Sequence, residues 1–290
     1  MNSFRSVRKR STFGRRSAFT LVELLVVIVI IGILVALLIP TIGAAMSAAK
    51  VGRMGVELGQ ITSSLEAYKT EMGAYPPDFA NADAALDIKQ MTNHMARKFR
   101  NRQPQDQSQF DVTGLDPAEA LVFWLYGFSK DAKFPLARRE ALDPTAAVRI
   151  PLKGTNPFFD FDQSRLMDKD GDGYPEYYPQ DSEMPYVYVR NDNYGVETAP
   201  GSGMFAANLI PVLNGNVSIR AYAAQIVGTA VQRFAEPEKF QVICAGLDGE
   251  FGAGAISQLA VYPDGIGYAE SDEDNLTNFS GGKTLEDAIP

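Results

Sequence analysis

The chain has 290 residues, 46% hydrophobic and 21% charged, a globular balance long enough for one sizeable core or two small ones. The net charge of −8 hides an asymmetry. Residues 1–17 carry Arg5, Arg8, Lys9, Arg10, Arg15 and Arg16 and no acid, so the remainder sets 21 basic against 35 acidic residues, a net of −14. An acidic body argues against a nucleic-acid partner. A single cysteine excludes a disulfide framework and a multi-cysteine metal site, and a single histidine excludes a His-based one.

In chain order the first element is RRSAFTLVELLVVIVIIGILVALLIP, Arg15 to Pro40. Phe19–Ile39 is 21 residues long, enough to cross a bilayer as a helix, which takes about 20. The basic residues before it favour a cytoplasmic N-terminus and send the C-terminal body across the membrane. A secretory signal would have a shorter apolar run followed by a small-residue cleavage site. Here the small residue, Ala18, comes first, which fits a leader (1–18) cut on the cytoplasmic side. Glu23 is the anomaly. A carboxylate at the centre of a bilayer helix costs roughly 2.5–3.5 kcal/mol, less near an end, so it either snorkels to the headgroups or meets a cation.

SAFTLVELLVVIVIIGILVALLIP resembles the prepilin-type N-terminus of type IV pilins and type II secretion pseudopilins. The resemblance implies a prepilin peptidase that cuts between Ala18 and Phe19 and methylates the new amine, with Glu23 fifth in the mature chain. Gly32 and Pro40 fall where many members have helix-loosening residues. The family usually has Gly before the cut, where this chain has Ala18, small enough for processing. In a filament of bundled helices the Phe19 amine of one subunit can reach Glu23 of its neighbour and set register, as a buried polar residue does in a coiled coil.

After Pro40, Met54, Leu58, Ile61, Leu65, Tyr68 and Met72 recur at three- and four-residue spacing, which predicts one helical face (41–73). Gly52, Gly55 and Gly59 suit close packing or a pliable neck, and GAYPPD from Gly73 ends the helix. The YKTEMGAYPPD end resembles the major pseudopilin of type II secretion. Residues 74–183 read as an irregular insertion with short helices: a short basic helix carrying His94 as a solvated residue, a Gln-rich linker, then a capping box at Asp116–Glu119 that opens the helix PAEALVFWLYGF, with Trp124 packed on the sheet. Residues 184–290 read as β-rich, the best strands being MPYVYVR (184–190) and KFQVICAG (239–246), with LAVYPDG (259–265) a third. Cys244 in that apolar run reads as a buried thiol.

Two acidic loops are candidate cation sites. DKDGDGYPE places Asp168, Asp170, Asp172 and Glu176 at alternating positions around Gly173, matching the first half of an EF-hand; Pro179 stands where the closing Glu belongs, and Asp181 or Glu183 are possible substitutes. The other reading is a solvated acidic turn. The second loop, ICAGLDGEFG followed by ESDEDNLTNFSGG, resembles the C-terminal calcium loop of the major pseudopilin, which implies Asp248, Asp272 and Asp274 as ligands across an insertion at about 253–270. Hydrolase constellations are missing, so no enzyme is expected.

The expectation is an α+β, pilin-like fold: a long N-terminal helix, membrane-spanning in its first half, laid on a small antiparallel sheet with a large insertion. The implied function is a type II secretion pseudopilus subunit, self-assembling, with prepilin peptidase and inner-membrane secretion machinery as partners, structural calcium, and a periplasmic body. The alternatives are a type IV pilin for adhesion or DNA uptake, and a membrane-tethered extracytoplasmic binding domain or enzyme that uses the leader.

Overall fold

The computed structural model describes residues 19–81, 83–103, 114–136, 156–252 and 259–290; the leader and Ala18 lie outside them. The chain divides into two compact units, Met1–Met46 and Ser47–Pro290. The expected segments 74–183 and 184–290 therefore lie in one unit, together with most of 41–73.

Helix α1 runs Leu21–Met72. A capping box starts it: Thr20 Oγ1 accepts the Glu23 amide (3.2 Å) and Glu23 Oε2 accepts the Thr20 amide (2.8 Å). The helix passes through Pro40, where one ladder hydrogen bond has no donor. It stops at Gly73, whose φ of +82° is the left-handed cap conformation that glycine adopts without Cβ strain.

In the second unit, the predicted face is the buried one. Met54, Leu58, Ile61, Leu65, Tyr68 and Met72 are all within 2% of full burial, worth roughly 1.5–3 kcal/mol for each large apolar side chain. Against it lies an antiparallel sheet of β3 (Val187–Arg190), β10 (Phe240–Cys244) and β11 (Leu276–Thr277), in the order β11-β10-β3. Period-two alternation divides the central strand. Phe240, Val242 and Cys244 join Tyr186 and Tyr188 in the core with α1, whereas Ile243 and Ala245 join Val187 and Val189 in a second core behind the sheet. Cys244 is fully buried, as read from the sequence. That second core is closed by the sheet β4 (Gly195–Glu197), β5 (Phe205–Ala207), β9 (Ala230–Phe234) and β8 (Ala223–Val227), and by the hairpin β6 (Ile210–Val212)–β7 (Val217–Ile219). Gln241, buried on that side, is fully bonded to the Tyr222 and Ala235 backbone. LAVYPDG contributes isolated bridges at Val261, to Ala223 and Ile266, in place of the expected strand.

Glu57 ties α1 to the insertion. It accepts Arg165 Nη1 (2.8 Å), Tyr177 OH (2.7 Å) and Tyr186 OH (2.9 Å), with a second Arg165 contact through Nη2. Burial raises its pKa, but these hydrogen bonds outweigh burial and leave it below the ordinary carboxylate value. Nearby, the glycine spacing resolves into one function. A Cβ on Gly55 would lie 2.7 Å from the Gly282 carbonyl oxygen, so the 281–282 turn sits directly on the helix, whereas nothing approaches Gly52 or Gly59.

Within the insertion, α2 (Ala84–Lys98) is capped by Asp83, β1 (Leu166–Met167) pairs with β2 (Glu176–Tyr177), and α3 (Ala120–Leu125) packs on β2 and β3. Trp124 lies in one core with Tyr186 and Tyr188, its ring meets Phe79, His94 and Tyr68, and its Nε1 donates to Pro77 O (2.8 Å). One expectation changes here. His94 is not solvated: it is 3% exposed, accepts or donates at 2.8 Å with Tyr68 OH, and stacks on that ring. Its helix is amphipathic, with Asp87, Met91, His94 and Met95 buried at helical spacing, a stripe hidden by the basic residues between them.

Burial, with the positive charges of Arg190 and Arg97, pushes His94 down to about 3 from 6.5. The unfolded chain takes up this proton near pH 6.5 and the folded chain only near 3, so the His94 contribution is complete above pH 6.5 and drains as pH falls between those values. Burial raises Asp78 and Asp87 to about 6, which acts oppositely between 3.8 and 6. His94→Phe should therefore lose less melting temperature than the wild type on going from pH 7 to pH 5, as followed by circular dichroism. Equal losses refute this role.

Candidate assembly segment and acidic clusters

Apart from Pro40, whose side chain is not described, residues 19–49 are all solvent-exposed, from Phe19 (77%) and Leu21 (79%) to Ile39 (65%). This is the one helix among the described residues long and apolar enough to cross a membrane. Apolar side chains cover every face of it, so no second face is reserved for water; a helix of this kind is at home in lipid or among other apolar helices. Phe19 and Glu23 are described and exposed, and Gly32 has nothing within 4 Å of where a Cβ would stand. Glu23 has a local role the sequence reading missed, although Thr20-Leu-Val-Glu23 spells it: its Oε2 also accepts Thr20 Oγ1 at 2.7 Å.

The C-terminal acidic residues separate by function. Asp274 Oδ2 accepts the amides of Leu247 (2.6 Å) and Asp248 (2.9 Å), and its Oδ1 is buried with no partner among the described residues. Asp248 is raised by burial and by the nearby Asp274 charge. Asp272 is occupied elsewhere: Oδ1 accepts Tyr222 OH (2.8 Å) and Oδ2 accepts the Ala269 amide (2.9 Å), capping the short helix α4 (Glu270–Glu273). A Cβ on Gly252 would stand 2.0 Å from the Asp272 carboxylate, so the preceding loop closes over it. Among the described residues Asp248, Asp272 and Asp274 do not form one convergent carboxylate group. The orphaned Asp274 oxygen beside Asp248 suits a cation; Asp272 does not join them.

The central loop does converge. One carboxylate oxygen each from Asp168, Asp170 and Glu176 lie within 4.8 Å of one another, and a second such group joins Asp170 to Asp116 and Glu119. The predicted capping box places the latter pair, with Asp116 Oδ1 accepting the Ala118 amide (2.7 Å) and Glu119 Oε2 the Asp116 amide (2.5 Å). The regular helix is shorter than predicted, because residues 117–119 form a turn. Asp172 belongs to the same neighbourhood: a Cβ on Gly114 would be 3.0 Å from its Oδ2. Burial first, then like charge, pushes Asp172 up to about 7 and Glu176 to about 8, and raises Glu119 well above the carboxylate range.

Residues 14–39 match the prokaryotic N-terminal methylation motif. Over 125 residues, 41% of this chain and 87% of the relative, the sequence is 31% identical to the type II secretion system core protein G of Pseudomonas aeruginosa. No solved structure matches. With that motif and that relative, the long apolar N-terminal helix followed by antiparallel sheets places the chain in the pilin-like class of structural proteins, and the helix fits a single-pass inner-membrane protein. The chain belongs to the family of type II secretion core G proteins, the major pseudopilins.

The geometry of Asp272 yields a test. In chelator, Asp272→Ala should destabilise the protein by about 1–3 kcal/mol, the usual cost of orphaning a buried hydrogen-bond partner, while Asp248→Ala leaves the melting temperature nearly unchanged. Denaturant melts decide; equal effects would mean that Asp272 is not structural.

Proposed function

We propose that this chain is a subunit of a type II secretion pseudopilus. It enters the inner membrane with a cytoplasmic N-terminus and a periplasmic body, is cut between Ala18 and Phe19 by a prepilin peptidase that methylates the Phe19 amine, and assembles into a filament that pushes substrates outward. The observation that carries this reading is the exposed apolar half of α1, whose side chains find no cover among the described residues. Bundling the helices covers that surface from water and replaces lipid contacts by close helix-to-helix packing, and it brings Glu23 of one subunit to the Phe19 amine of the next. The pair neutralises a carboxylate that would otherwise be costly in the membrane. Gly32 and Pro40 give the helix local freedom to adjust in the bundle.

Glu23 carries two roles that substitutions separate. Glu23→Gln keeps an acceptor for the Thr20 amide and loses the charge; Glu23→Val loses both. Both variants should insert in the membrane fraction, and both should reduce the yield of sheared filaments severalfold. Normal filament yield in Glu23→Gln would show that the carboxylate serves the cap and not assembly. Intact mass of the membrane-extracted protein should show a mature chain that begins at a methylated Phe19; any other start removes the pseudopilin reading.

A further inference from the structure

We propose that the acidic turn 168–176 and the turn that opens α3 together bind a hard divalent cation, calcium, around Asp170, with Glu119 and Asp116 closing from one side a site whose other side is Asp168, Asp172 and Glu176. This goes beyond the filament role and does not depend on it.

The observation that distinguishes the site from an ordinary acidic turn is its depth. Glu119 is 1% exposed and Glu176 fully buried, yet Oε1 of each has no hydrogen-bond partner among the described residues, and neither do the buried Oδ2 atoms of Asp170 and Asp172. Buried polar atoms are overwhelmingly paired in folded proteins, so four orphaned carboxylate oxygens in one neighbourhood call for a positive partner. No lysine or arginine of the chain supplies it among the described ion pairs. Lys169 leaves the loop for Glu183 and lies over the Tyr178 ring, while Arg165 is held by Glu57 and Asp162.

The donor set names the ligand class. It contains oxygen only, which suits a hard cation. Its carboxylates come from two separate stretches with irregular spacing, a pattern that calcium accommodates with six to eight oxygens and magnesium, which demands near-ideal octahedra, does not. Gly171 and Gly173, at φ +80° and +96°, let the loop curl so that Asp168 accepts both their amides and the alternate side chains turn inward. Glu119 takes the place of the closing carboxylate that the EF-hand pattern lacks at Pro179, from a residue 57 positions earlier than Glu176 in the sequence. The rival arrangement is a proton shared between Asp116 and Glu119 with no cation at all.

The test uses the full chain in detergent, stripped with chelator and titrated with calcium chloride by calorimetry, with melting followed in parallel. The wild type should bind calcium and melt higher with it. Glu119→Gln, which keeps an acceptor for the Asp116 amide, and Asp170→Asn should each weaken binding about tenfold or more, whereas Asp248→Asn leaves this binding in place. In chelator Glu119→Gln should melt at or above the wild type, because a repelling charge is gone; this separates a lost ligand from a folding defect. Glu176→Gln, which retains an acceptor for the Lys169 amide, provides a second variant with the same expectation. The proposal is overturned if the wild type shows neither heat nor a melting shift, as proton sharing requires, if Glu119→Gln binds calcium as the wild type does, so that the turn acts alone, or if Asp248→Asn abolishes the response.

Discussion

The body is organised by one face of α1. Six apolar side chains from Met54 to Met72 line up at helical spacing, and an amphipathic helix with such a stripe is stable only when something covers it. The cover is β3 and β10, whose alternate residues present Tyr186, Tyr188, Phe240, Val242 and Cys244. Because a strand shows its other residues to the opposite side, covering α1 automatically creates a second apolar surface, Val187, Val189 and Ile243, which needs a further layer. The four-stranded sheet and the β6–β7 hairpin exist to bury it. Glu57 sets the position of the insertion on the helix, because its carboxylate is stable in a half-dry setting only with Arg165, Tyr177 and Tyr186 in place together.

The two halves of α1 obey different solvent rules. From Ser47 onward its large apolar residues, the exposed Val56 excepted, occupy one side and are covered within the second unit. Before that they occupy every side and are covered by nothing among the described residues. A protein can tolerate this only if lipid or sister helices supply the cover, which is the physical content of belonging to a pilin-like family. Within that segment Glu23 is the one charged group, and both of its bonds to Thr20 fall on one carboxylate oxygen, leaving the other without a partner among the described residues.

The two acidic regions look alike in sequence and differ in the folded protein. In the C-terminal loop a tyrosine and a helix cap consume Asp272, which gives the carboxylate a structural duty without any ion. In the central loop the carboxylates turn inward, several of their oxygens stay unbonded, and burial concentrates their repulsion. Spacing along a loop cannot separate these outcomes, because what matters is whether a donor from another part of the chain arrives first.

The sequence by itself determined the elements whose signal is local and periodic. The start and stop of the long helix follow from Thr20, Glu23 and Gly73, its buried face from the spacing Met54 to Met72, the capping box from Asp116 and Glu119, and the two principal strands from their β-branched and aromatic runs. The family, too, was legible, since the segment around Phe19 and Glu23 is a local motif. Tertiary structure decided the rest, because those features are set by partners distant in the chain. The short strands between Gly195 and Phe234 have little intrinsic preference and form by pairing. His94 is buried because Tyr68 and Trp124 reach it from elsewhere. Glu119 reads as a cap in sequence and becomes part of an acidic cluster only when folding brings the 168–176 turn against it, a meeting that no spacing in the primary structure encodes.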